Sequence, residues 1–419
     1  MSVTKPTNIL KRVQASKDAK RVITNFSYLS LLQIGSYVLP ILTYPYLARV
    51  IGVEGFGKIA FAMSVIVYFM TITDWGYNFT ATRDIAKCRG DKAAVERIYS
   101  IVTTSKLALM LVSGICLAVL LITVPYFKEN YLVIALSFSI VIGQTIFPEW
   151  LFQGMERMKM ITILNLLSKA LFTVLIFVFI DESKDYVLQP VFAGLGYIMA
   201  GIISMLYIRY SFHIKFHFAH VSDVCDSVKS GFDVFLNTII PNLYTNFSVL
   251  LLGFWGGSVA NGFLEGANKF YSIGSQFLTI LSRAFFPYLS RHIEKHIVYA
   301  KIKLAITILF SLVLVFGAPI LVDVVLGDSF KPSIMPLRIL GASLIFHSIT
   351  NIYGTNYLLI TGKERLLRKI TLYASLAGAI SAIPLIYFFS YTGAACAIAL
   401  SRVIIGTLVY FFAKKQCTI

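Results

Sequence analysis

Four basic residues, Lys169, Lys269, Arg283 and Arg402, lie inside stretches that are otherwise apolar. A cationic side chain near the centre of a bilayer costs roughly 2.5–3.5 kcal/mol on insertion scales, so a chain that keeps four has a use for positive charge there. The chemistry this pattern fits is the holding of an anion, or its passage, within a water-filled cavity. Lys169 and Arg402 lie ~13 Å of helical rise from the nearest predicted span edge. Lys269 sits nearer one membrane face. Arg283 sits near the other, where a long side chain can snorkel. Glu265, four residues before Lys269, offers an ion pair as the competing explanation for that lysine. Few carboxylates lie deep enough to serve Lys169 and Arg402.

A second set could carry protons. Asp74 lies in the segment Thr73-Asp74-Trp75-Gly76-Tyr77-Asn78, and His347 is nearly central in its span. Histidine titrates near neutrality, and intramembrane acids and histidines recur in proton relays. Helix–helix hydrogen bonding is the alternative for each. Glu149, Asp233 and Asp323 fall near span ends. Other chemistries find no support. The chain has no GxxxxGK[ST] loop, since Gly57-Lys58 and Gly362-Lys363 lack its remainder. His292 and His296 have the spacing of a zincin pair, but the glutamate, Glu294, is misplaced. His213, His217 and His220 read as surface residues of a basic loop. No catalytic residue, metal or cofactor is expected.

The elements that must position these residues are membrane helices. Of 419 residues 57% are hydrophobic, a fraction that requires lipid as solvent. A span needs about 20 mostly apolar residues. That rule predicts spans at 22–48, 58–82, 102–124, 131–152, 161–180 and 188–208, then 233–254, 262–288, 304–326, 334–360, 370–389 and 393–412. Segments so long and without strict alternation are helical. The prediction is an all-α integral membrane protein with twelve transmembrane helices in two parallel-repeat six-helix bundles. The N-terminal lobe is 1–210, the C-terminal lobe 233–419, and 211–232 is the cytoplasmic linker. Lys and Arg cluster in the N-terminus, 83–106, 157–159, 209–229, 291–303, 363–369 and the tail, which the positive-inside rule places with both termini in the cytoplasm. That bias accounts for most of the net charge of +17, so no nucleic-acid partner is needed.

Within the halves, Glu54-Gly55-x-x-Lys58 recurs as Glu265-Gly266-x-x-Lys269, suggesting parallel repeats with a cavity between them. Pro40, Pro45, Pro148 and Pro241 interrupt spans and would kink them. The five cysteines, Cys88, Cys116, Cys225, Cys396 and Cys417, are not placed for an extracytoplasmic disulfide. Residues 1–21 are polar and basic, with no cleavable signal peptide visible.

Three stretches carry a family likeness. They are Phe147-Pro148-Glu149-Trp150-Leu151-Phe152-Gln153-Gly154-Met155-Glu156, Ala81-Thr82-Arg83-Asp84-Ile85-Ala86, and the run from Pro45 to Gly57. Together they resemble the O-antigen flippases of the Wzx type, in the polysaccharide transporter branch of the multidrug/oligosaccharidyl-lipid/polysaccharide exporter superfamily. The motifs concentrate in 22–160; the later half agrees in topology and length. The resemblance implies a Gram-negative inner-membrane secondary transporter, not an enzyme. It would move undecaprenyl-diphosphate-linked O-antigen repeat units from cytoplasmic to periplasmic leaflet by alternating access, coupled to an ion gradient. Implied partners are that lipid-linked oligosaccharide, membrane lipids, an O-antigen polymerase and a chain-length regulator. A monomer suffices, because the cavity lies within one chain. On this reading Lys169 and Arg402 neutralise the diphosphate or acidic sugars. Arg283 attracts the headgroup at the cytoplasmic mouth, Lys269 receives it nearer the periplasm, and Asp74 and His347 carry protons.

Two rivals differ in class. A multidrug exporter of the same superfamily would want acidic residues for cationic drugs. An O-antigen polymerase or ligase would resemble integral glycosyltransferases with a large periplasmic loop, and the longest such loop here, near 181–188, is short.

Overall fold

The computed structural model describes residues 7–240 and 242–416; before Leu42 few side chains are described. Pro241 and Cys417 lie outside the described residues, as does the side chain of Pro40. The helices run α1 (Thr7–Asp74), α2 (Tyr77–Cys88), α3 (Lys92–Thr123), α4 (Pro125–Glu129), α5 (Tyr131–Ile146), α6 (Glu149–Gly154), α7 (Met158–Phe179) and α8 (Leu188–Ser211). The amphipathic α9 (Val221–Ile239) leads to α10 (Asn242–Leu289), α11 (His296–Phe316), α12 (Ala318–Val325) and α13 (Ile334–Ile349). A π-helical segment, Thr350–Leu359, and α14 (Glu364–Gln416) complete the chain.

Among the described residues nine helical runs are long and apolar enough to cross a membrane. The protein is a multi-pass membrane protein. Helices meet the requirement that lipid imposes, because each backbone N–H finds its partner within its own segment. Three long helices are broken, α1 at Gly52 (φ 67°), α10 at Gly257 (φ 74°) and α14 at Ser390 (φ 48°). Each break falls in a connection that the hydropathy pattern predicts. The two glycines adopt a left-handed φ that a Cβ would disfavour. Phe147-Pro148 likewise separates α5 from α6, as proline removes a backbone donor.

The breaks correct the repeat alignment. Lys58 lies six residues beyond Gly52, whereas Lys269 lies twelve beyond Gly257. The two EGxxK segments therefore occupy different depths, although each forms its Glu–Lys ion pair. Lys58 stays near the break, while Lys269 is carried almost two turns deeper.

At the end of the bundle that carries these breaks, the two halves are sealed together. Phe56 meets Phe330 edge-on at 5.7 Å, and Arg49 donates to the Val324 carbonyl at 3.0 Å. Tyr126 and Ser258 hydroxyls are 3.5 Å apart. Gly57 and Gly262 let the backbones touch: a Cβ at Gly57 would overlap Ser258 O, and one at Gly262 would overlap Val53 O.

At the opposite end the linker lies on the first half. His217 N donates to Ser100 Oγ and Ala219 N to Thr104 Oγ1. α9 docks where α1 ends: Trp75 (φ 46°) stacks on Phe235 at 4.1 Å and donates from Nε1 to Val228 O at 2.8 Å. Trp75 and Gly76 (φ 80°) form the turn that ends α1.

Candidate functional site

Between the halves lies a cavity of about 380 Å³. α1 contributes Tyr44 and Ser64, α7 contributes Phe172, and α8 contributes Gln189. α10 contributes Asn246, Glu265, Asn268 and Lys269, while α14 contributes Ile398 and Arg402. Glu265, Asn268 and Lys269 share a face through i+3 and i+4 spacing, as do Ile398 and Arg402. Aromatic rings beside side-chain amides, with a cation at one wall, form a surface suited to a sugar bearing an anion.

The two cations in this cavity differ in kind. Lys269 is ion-paired to Glu265, and its ammonium lies 4.7 Å from the centroid of the Tyr44 ring. The pair is nearly neutral as a unit. Arg402, 6% exposed, has no carboxylate within ion-pair distance among the described residues. Its guanidinium carbon lies 3.7 Å from the centroid of the Tyr271 ring, and Nη1 donates to Ser343 Oγ at 3.0 Å. Those contacts aim the planar fork while leaving its charge unbalanced, and a guanidinium is suited to bidentate holding of phosphate. Buried small residues on α14, Ala394, Ala395, Ala397 and Ser401, allow the close packing that brings Arg402 to the wall.

The other sequence-predicted residues are distributed around this centre. Lys169 is half-buried on α7, one turn before Phe172, and among the described residues its ammonium has no ion-pair or hydrogen-bond partner. It lies within electrostatic reach of Glu149. Arg283 is exposed near the α10 end and away from the cavity lining. His347 Nε2 on α13 accepts from Asn351 Nδ2 at 3.1 Å and the ring meets that of Tyr271 edge-on at 6.2 Å, so Arg402 and His347 share one tyrosine.

Asp74 belongs to a separate polar chamber of about 150 Å³ in the first half. It is ion-paired at 3.7 Å to Lys106, which also donates to Gln144 O at 3.5 Å. Glu149 lines the same chamber and accepts from Asn165 Nδ2 at 2.6 Å. Asp74→Asn is expected to destabilise the protein by about 3 kcal/mol, the lower end for breaking a buried pair, because Lys106 loses its ion-pair partner and keeps only the more distant Glu149 carboxylate. Adding Lys106→Met should restore most of the loss. Thermal unfolding of the single and double variants in detergent checks both results.

Lys106 and Lys303 correct the sequence reading, which counted both as loop charges. Each is buried inside a helix, Lys106 at 4% exposure and Lys303 at 0%. The predicted loop 83–106 overlaps the start of span 102–124 at Lys106, and the predicted loop 291–303 stops at Lys303 just before span 304–326, so each lysine sits at an expected membrane edge. α3 and α11 instead continue past them to Lys92 and His296. The signal for Lys106 was present in Asp74 and Glu149, two intramembrane acids that call for a counter-charge. Nothing comparable marks Tyr271 or Ser343, whose role comes from packing.

A family model described as polysaccharide biosynthesis protein matches residues 22–293. A protein of Escherichia coli (strain K12) named "Putative O-antigen transporter" is 29% identical over 400 residues, covering 94% of this chain and 96% of that one. Among solved structures, the lipid II flippase MurJ in an inward closed conformation has a TM-score of 0.75 at 14% identity, over 92% of this chain and 87% of that chain. The inward-facing conformation of a multidrug resistance MATE family transporter of the MOP superfamily has 0.61 at 15% identity, over 89% and 94%. The chain shares the fold of these transporters.

Proposed function

The chain belongs to the polysaccharide biosynthesis protein family, and from that premise we propose that it is a flippase for lipid-linked oligosaccharides. Its substrate on this reading is an undecaprenyl-diphosphate-linked O-antigen repeat unit, moved from the cytoplasmic to the periplasmic leaflet of a bacterial inner membrane. The observation that carries the proposal is Arg402, a buried guanidinium without a carboxylate at the wall of a cavity lined by amides and aromatics. The "O-antigen transporter" name of the relative supports the same substrate class. A cavity built for cationic drugs would be expected to leave a carboxylate unpaired, whereas here Glu265 is engaged by Lys269.

Lipid tails stay in the bilayer while the diphosphate and glycan cross inside the cavity. Arg402 and Lys169 would hold the diphosphate. Lys269, freed from Glu265 by an incoming anion, would receive it nearer the periplasm, and Arg283 would attract it at the cytoplasmic mouth. The lobes 1–210 and 233–419 would rock about the cavity, joined by 211–232. With both termini cytoplasmic, the sealed end at Gly57 and Gly262 faces the periplasm and the conformation is inward-facing. Asp74 and His347 are the coupling candidates named from the sequence, and Asp74 is the carboxylate that pairs with Lys106. An O-antigen polymerase and a chain-length regulator would act on the delivered unit, and a monomer contains the whole cavity.

Deleting the gene tests the proposal. Loss of O-antigen on a lipopolysaccharide gel, with intact repeat units accumulating on undecaprenyl diphosphate, is the expected result. A core capped by a single repeat unit would mean that flipping continues, and would identify a polymerase instead. Unchanged lipopolysaccharide in a host without a second flippase would refute both.

A further inference from the structure

Lys303 stands apart from every residue assigned above. It lies on α11, fully buried in the second half, and its ammonium donates to Ser282 Oγ on α10. Among the described residues no carboxylate is within ion-pair distance of it. α3 in the first half and α11 in the second thus each carry an interior lysine, and of these two only Lys106 has an acid for a partner among the described residues. An unpaired ammonium in a low-dielectric interior is costly, and lysine is the side chain that commonly answers by exchanging a proton.

Among the described residues the surroundings supply hydroxyls and amides but no carboxylate in ion-pair reach. α10 brings Ser282, followed by the exposed Arg283. α11 itself brings the Tyr299 ring, 6.0 Å from the ammonium, and its hydroxyl lies 3.1 Å from Ser282 Oγ. His296, one turn before Tyr299, has its Nε2 against Ile352 O at 2.9 Å. α13 brings His347 and Ser348, the latter accepting from Thr307 at 2.8 Å. The π-helical segment brings Asn356, which donates to Ser282 O at 3.0 Å and whose buried Oδ1 has no hydrogen-bond partner among the described residues. π-helical turns inside helical spans recur at functional sites. α14 brings Arg402, and both Arg402 and Lys303 lie within electrostatic reach of His347. Among the described residues, the charges that act on His347 are both cationic.

We propose that Lys303 is a proton-binding site of the second half, and that its protonation strengthens the hold on an anionic headgroup at Arg402. The step is the uptake of one proton from water by the neutral Nζ amine, and its return. The Ser282 and Tyr299 hydroxyls form a hydrogen-bonded chain from Nζ. Protonated, Lys303 adds a positive charge behind His347 and Arg402, so proton and anion binding reinforce each other by linkage. Lys303 is here an alternative to both candidates named from the sequence, His347 and Asp74, of which Asp74 already has its lysine. The proposal rests on the anion-cavity reading above, and its test separates the two.

Binding of farnesyl diphosphate to the purified protein in detergent is measured between pH 6.5 and 8.5 for wild type, Lys303→Met, Lys303→Arg and His347→Asn. Wild type is expected to bind at least about fivefold tighter at the lower pH, beyond the slope that the diphosphate's own titration gives in Lys303→Met. Lys303→Arg, permanently charged, should bind tightly at both pH values. His347→Asn should keep the wild-type slope. A wild-type slope no steeper than that of Lys303→Met would overturn the proposal while leaving the cavity reading intact. So would a slope lost in His347→Asn and kept in Lys303→Met. No binding by wild type at any pH would overturn the cavity reading and this proposal with it.

Discussion

Arg402→Ala is expected to abolish surface O-antigen, with flipping reduced at least about 100-fold at unchanged protein level. Hydrogen bonds to a charged partner contribute about 1.5–3 kcal/mol each, and a guanidinium can offer two to a phosphate. Losing both corresponds to about 3–6 kcal/mol, or two to four orders of magnitude in binding. The alanine variant also removes the contacts to Ser343 and to the Tyr271 ring, so a purely structural collapse must be excluded. Arg402→Lys does this. It keeps a cation at the cavity wall but loses the planar fork and stacking surface, and should retain flipping at roughly one-tenth of the wild-type rate. Lys169→Ala should have a smaller effect, because Lys169 stands beside the cavity and feels the Glu149 charge. Lipopolysaccharide gels, lipid-linked intermediates and immunoblots of the membrane fraction measure all three. Full flipping in both alanine variants, at normal abundance, would end the anion-cavity proposal.

Much of the fold could be read from hydropathy, because lipid leaves helices as the available solution and apolar length reports them directly. The breaks at Gly52, Gly257 and Ser390 fall in predicted connections for the same reason: a chain re-entering the bilayer needs a short non-helical step. Depth was harder. Lys106 and Lys303 each looked like a boundary, since a charge beside an apolar run is the usual sign of the membrane edge. Only the tertiary contact with Asp74, 32 residues earlier, shows that Lys106 is an interior counter-ion. The four cations singled out from the sequence also proved unequal. Arg402 and Lys269 line one cavity, but Glu265 neutralises the second, and Arg283 is exposed near a helix end. The i,i+4 spacing made that pair foreseeable. The Tyr271 stacking that aims Arg402 joins α10 to α14 across more than a hundred residues and left no local trace.

Gly57→Val is expected to stop flipping as completely as the loss of Arg402, by a different route. A Cβ at position 57 would overlap the Ser258 carbonyl and crowd the Gly262 amide. The obstacle is backbone, so no side-chain rotation relieves it, and the helices would have to separate at the sealed end. Gly262→Val should act alike through the Val53 carbonyl. Neither change disturbs the core of a single half, since the clash lies between halves, so the protein should still accumulate in the membrane. An alternating-access carrier needs both closed ends in turn, and a variant that cannot form one is held in the other conformation. Replacing Arg49 and Val324 by cysteine in a background without native cysteines reports on that end, because Arg49 Nη2 meets Val324 O at 3.0 Å. A short bifunctional thiosulfonate should join the two cysteines in the parent and fail to do so once Gly57→Val is added. Gly57→Ala is the milder probe, and its one methyl still meets the carbonyl. Wild-type flipping with undiminished cross-linking in Gly57→Val would show that the close crossing of α1 and α10 is packing and no gate.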